Sequence, residues 1–109
     1  MALQHAKPGE VVDLRPLRSR LKDERTAAII KSDRFEAIRL VVHAGDVLPT
    51  HEVPGNITLH CLEGRIELGL AGSSFELKAN QWVYLDGGAP HSVRGIEDSS
   101  LLLTILFDA

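Results

Sequence analysis

The chain has 109 residues, 44% hydrophobic and 25% charged, with a formal net charge of -3, which suits one domain built around one core. That balance carries no basic face and gives no ground for nucleic-acid binding, and no apolar run approaches the length of a membrane span. Cys61 is the single cysteine, so no intramolecular disulfide can form, and the usage leans toward a reducing cytoplasm.

Taken along the chain, Met1 to Gly9 lacks the apolar stretch of a secretory signal, and His5 in this tail is given no role. Arg15, Arg18, Arg20, Lys22 and Arg25 crowd together, but Asp23 and Glu24 interrupt them, which reads as a solvated surface segment. A helical turn is expected over Ser19 to Arg25 and a strand over Thr26 to Ile30. From Gly45 onward, Gly and Pro recur at short intervals between runs rich in Val, Ile, Leu and aromatics. Short strands with turn signals at this spacing predict an all-β sandwich or barrel.

The strand over Phe35 to His43 presents two faces, Glu36-Ile38-Leu40-Val42 and Phe35-Ala37-Arg39-Val41-His43, and alternation alone leaves open which of them meets the interior. Arg65 to Leu70 is expected to put Ile66, Leu68 and Leu70 in the core, and Ser74 to Ala79 to do the same with Phe75 and Leu77. Glu63, beside the Gly64 turn, reads as a solvated carboxylate. Trp82 to Leu85 and Leu101 to Phe107 are apolar on both faces, which predicts cover on two sides and a homodimer. Trp82 and Tyr84 are expected in the core rather than as a ligand-stacking platform. Glu97-Asp98-Ser99-Ser100 reads as the last loop, and Ser73-Ser74 as turn residues.

Two histidines stand out by their settings: Gly45-Asp46-Val47-Leu48-Pro49-Thr50-His51, closed by Gly64, and Asp86-Gly87-Gly88-Ala89-Pro90-His91. Their spacing resembles the two sequence motifs of the cupin family over roughly Phe35 to Phe107. The resemblance implies a single cupin domain over residues 1–109, with N-terminal strands and loop over 1–34 and the conserved barrel over 35–107. Its fold would be a double-stranded β-helix, a jelly roll of two antiparallel sheets.

The family's metal site joins three histidines and one carboxylate. Here Val53 stands where the second histidine belongs and Ile57 where the glutamate belongs. In the second motif Asn80 replaces a glycine, Asp86 a proline and Gly95 an asparagine. Only His51 and His91 remain as metal ligands, an incomplete set that implies at most a weakly bound divalent transition metal. Strand alternation sends His60 to the outer face if Ile57, Leu59 and Cys61 face inward.

The expected cavity is lined by Ile57, Leu59, Cys61 and Val93, with His51 and His91 at its polar end, holding a small-molecule ligand. The alternative is a metal-dependent dioxygenase or isomerase using the two histidines as ligands. Turn-capping imidazoles bonded to backbone carbonyls would account for both histidines without any ligand. No Gly-x-Ser-x-Gly elbow, phosphate-cradling loop or Cys-x-x-Cys pair is present.

Overall fold

The structure is a computed structural model that describes residues 5–107. Its strands are β1 (Ala27–Lys31), β2 (Phe35–Val42), β3 (Val47–His51), β4 (Ile57–Glu63), β5 (Arg65–Leu70), β6 (Ser73–Lys78), β7 (Trp82–Leu85), β8 (His91–Gly95) and β9 (Ser99–Leu106). They form two antiparallel sheets, ordered β1-β2-β9-β4-β7 and β3-β8-β5-β6. The helical turn is a 3-10 helix over Arg18–Asp23. Among the described residues no helix is long and apolar enough to cross a membrane.

The two sheets face each other because alternate residues of each strand are apolar and must leave water. Ile57, Leu59 and Cys61 from β4 meet Ile66 and Leu68 from β5, Val93 from β8 and Leu101 from β9 in one buried core. The chain passes from the first sheet to the second between β4 and β5 through Gly64 alone. Gly64 has φ of +86°, and a Cβ there would strike the Asp98 carbonyl and the Ser99 hydroxyl, so only glycine fits this crossing. Asn80, between β6 and β7, has φ of +72°. Asparagine is among the few other residues that tolerate this region, so the departure from the family's glycine keeps the backbone geometry.

The outer face of the five-stranded sheet is partly covered by the N-terminal segment. Arg39 donates from Nη2 to the Arg15 carbonyl at 2.7 Å, and His43 Nε2 lies 3.2 Å from the Leu21 carbonyl. The face of β2 that carries Arg39 and His43 is therefore the outer one. His60 also faces outward, paired in register with Leu102 and Trp82, as alternation requires.

Five expectations need correction, the first being that Ser73 and Ser74 open β6, paired with Leu70 and Gly69, rather than form a turn. Trp82 and Tyr84 are not core residues: they are 59% and 44% exposed, because β7 turns Val83 and Leu85 inward instead. Ser99 and Ser100 are not loop residues but open β9 and are fully buried, since Ser99 Oγ meets the backbone of Arg65 and Ser100 Oγ donates to Glu63. The Glu63 carboxylate is not simply solvated. It accepts the N–H groups of Leu17 and Arg18 at 2.8 and 3.1 Å, which ties the N-terminal segment to β4. Phe75, near the free edge of the four-stranded sheet, is 38% exposed while Leu77 is buried.

Candidate functional site

The site forms where β3 and β8 pair at one end of the sandwich. β3 is an edge strand, so Pro49 within it removes no ladder hydrogen bond that a neighbour needs. A shift in register between Leu48 and His51 then brings His51 directly opposite His91. Behind the pair, the Pro54-Gly55 loop packs tightly. A Cβ on Gly55 would overlap the Leu106 carbonyl, and one on Gly87 would overlap the Pro54 carbonyl.

The two imidazole rings stand 4.4 Å apart between centroids, tilted by 58°. The same local device orients each. His51 Nδ1 lies 3.0 Å from the Pro49 carbonyl and His91 Nδ1 lies 3.0 Å from the Ala89 carbonyl. A carbonyl oxygen only accepts, so each Nδ1 carries the ring proton. In the neutral rings both Nε2 atoms are then left with a lone pair and no partner among the described residues. The turn-capping role and the ligand-facing role thus coexist, because they use opposite edges of one ring. His91 is 7% exposed whereas His51 is exposed, so His51 sits at the mouth and His91 behind it.

Below the rings lies a cavity of about 130 Å³. Among the described residues, His51 and His91 are the only polar ones that line it, and every other wall residue is Leu, Ile or Val. Ile57, Leu59 and Val93 line it as the sequence predicts. Cys61 does not. It faces the interior from the same strand, but it is displaced toward Gly64, where its Sγ lies 3.4 Å from the Glu63 carbonyl. Burial pushes its thiol up from 9.0 to about 11, so it is an unreactive core group. The sequence reading missed Leu40, Leu48, Leu68, Leu85 and Leu103 as wall residues. Inward alternation already marked Leu68 as a core residue but left the direction of Leu40 open; only the pairing of β9 and β7 with β4 adds Leu103 and Leu85.

Wider hollows lie along the N-terminal segment, one of about 350 Å³ between Glu10–Leu14 and β1. They are open surface grooves beside Asp13, whose carboxylate is already paired with Arg15 at 2.7 Å. The smaller cavity is more enclosed and is lined by both imidazoles, which makes it the stronger site.

The donor set does not fit a tightly held metal. Among the described residues no third His, Cys, Asp or Glu joins the pair. Ile57 is 3% exposed in the cavity wall, and Val53 packs half-buried against the core. Two nitrogens without a carboxylate fall short of the three or four protein donors such sites use.

Residues 38–107, well over half of the chain, match the family described as the cupin domain. The chain belongs to the cupin family. Solved structures agree on the fold. A conserved protein of unknown function from Streptococcus pyogenes is 15% identical, with a TM-score of 0.77 over 100% of this chain and 96% of that one. A cupin superfamily protein from Desulfitobacterium hafniense is 17% identical, with a TM-score of 0.76 over 90% and 95%. An RmlC-like cupin protein from Desulfovibrio desulfuricans is 24% identical, with a TM-score of 0.73 over 89% and 97%. No curated protein matches this cupin.

Proposed function

We propose that this cupin binds a small molecule in the cavity, with its apolar body against the aliphatic wall and its polar head at His51 and His91. The observation that carries this reading is the pairing of two oriented imidazoles at the mouth of an otherwise aliphatic cavity. Size narrows the ligand. An apolar cavity of about 150 Å³ is enough to admit a benzene ring, and this one is about 130 Å³. The ligand is therefore single-ringed or a short branched chain, and the site has no room for a nucleotide or a disaccharide.

The test is a set of one-ring compounds (toluene, phenol and benzoate) titrated into the isotopically labelled protein. Shifts confined to Ile57, Leu59, Val93 and the two histidines, and lost in Leu103→Phe, support the reading. Absence of those shifts with every compound in the set overturns it.

The protein acts as a homodimer in this account. Trp82, Tyr84 and Leu106 are 59%, 44% and 43% exposed, and with half-buried Leu102 they share the outer face of the five-stranded sheet. An aromatic face of this kind is the type of surface a second copy covers. Light scattering that reports twice the chain mass, falling to one chain mass in Trp82→Glu, supports this; a monomer at micromolar concentration contradicts it.

A further inference from the structure

We infer that the cavity selects ligands whose head donates a hydrogen bond, and that it rejects carboxylates when the imidazoles are neutral. This rests on the proposed small-molecule binding at the same cavity and goes on to name the chemistry of the head group. Three observations carry it. First, both Nδ1 atoms are committed to backbone carbonyls, at 3.0 Å each. That fixes both protons on the edge away from the free nitrogens. Second, the rings stand side by side at 4.4 Å between centroids and both line the cavity, so a head group at its polar end meets imidazoles alone. Third, the remaining wall is aliphatic and supplies no side-chain donor.

A carboxylate in that space would face only acceptors and would give up part of its hydration for no hydrogen bond in return. A hydroxyl has the opposite fit. It donates to one Nε2, and its oxygen stays near the mouth, where exposed His51 admits water. An ether or a methyl group of the same size fills the volume and leaves both nitrogens unpaired. The discriminating groups are the carbonyls of Pro49 and Ala89 as much as the histidines, since without them each ring could flip its proton to Nε2 and present a donor. They are positioning groups, acting through the imidazoles.

The experiment compares phenol, toluene and benzoate against the metal-stripped protein at mildly alkaline pH. Phenol and toluene differ only in a hydroxyl against a methyl, so their affinity ratio isolates the head. That ratio, measured in the unaltered protein and divided by the same ratio in His91→Leu, is expected to favour phenol roughly three- to tenfold, the worth of one hydrogen bond. His51→Leu, at the more exposed position, provides the same comparison should His91→Leu fail to fold. Benzoate is expected to bind at least tenfold more weakly than phenol. An unchanged phenol-to-toluene ratio in both variants, benzoate binding as tightly as phenol, or phenol binding only after zinc is added would each overturn the inference. In all three cases the cavity would still bind a ring, so the broader reading survives. Failure of every compound, toluene included, instead removes the broader reading.

Discussion

The two ends of the sandwich treat their polar groups in opposite ways. At the Gly64 end, polar atoms satisfy one another. Ser99 and Ser100 are fully buried beside Cys61, Ile66 and Leu101, all at 0% exposure, and the Glu63 carboxylate takes two backbone N–H groups and the Ser100 hydroxyl. At the other end, each histidine commits one nitrogen to the backbone and leaves one free above a cavity. Buried polar groups that are fully paired hold a fold together. Groups held rigidly but only half paired are available to a ligand. In the proposed reading, stability therefore belongs to one end of this sandwich and recognition to the other.

Core truncations should show this contrast most strongly. Leu101→Ala, at the closed end, is expected to cost about 3–5 kcal/mol, in the upper part of the range for a well-packed leucine. Leu103→Ala, two residues along β9 and already bordering empty space, should cost nearer 2 kcal/mol. Urea unfolding of the pair checks this, and equal losses would mean that the cavity end is packed as tightly as the other.

Next in size is the tether. Glu63→Ala leaves the Leu17 and Arg18 N–H groups without their acceptor and should cost about 1–3 kcal/mol. It should also speed tryptic cleavage at Arg18 and Arg20. Cleavage at the unaltered rate would show that the segment is held by other contacts, such as buried Leu21.

Alkaline pH acts at the closed end through Cys61. Cys61 holds its proton to about pH 11 in the folded chain against 9.0 ordinarily, so the unfolded chain ionises first. The stability tied to this thiol is complete below about pH 9 and is lost as pH rises toward 11. Cys61→Ala should remove that part of the alkaline decline, although it is less stable at neutral pH. At neutral pH the thiol should resist alkylation until the protein unfolds. Parallel pH–stability curves for the two proteins would contradict the assignment.

The smallest effect is expected at the recognition end. His51→Ala removes an exposed ring with one local hydrogen bond and should cost less than about 1 kcal/mol. A larger loss, seen in the urea midpoint, would make His51 a structural residue.

Much of this arrangement is legible in the chain itself, for identifiable reasons. The alternation of Ile57, Leu59 and Cys61 correctly assigns an outward His60, because strand period fixes which side a residue occupies. It does not fix depth along the strand, which is why Cys61 falls in the closed core rather than the cavity wall. Four-residue β7 has apolar types on both faces, so nothing in its pattern distinguishes Trp82 and Tyr84 from Val83 and Leu85. The direction comes only from pairing with β4. Ser99 and Ser100 look like a loop because their burial depends on Glu63 and Arg65, more than thirty positions away. The motif glycines and the two histidines are readable because backbone geometry demands them locally.

The central claim is that both histidines hold their proton on Nδ1 and offer Nε2 to the cavity. Long-range proton–nitrogen correlation spectra of the imidazoles read this directly. At mildly alkaline pH the account predicts the Nδ1–H tautomer for His51 and His91 alike, with the unprotonated Nε2 signals shifting when phenol is added. A proton on Nε2 of either ring, or Nε2 signals indifferent to phenol while cavity wall residues respond, would contradict it.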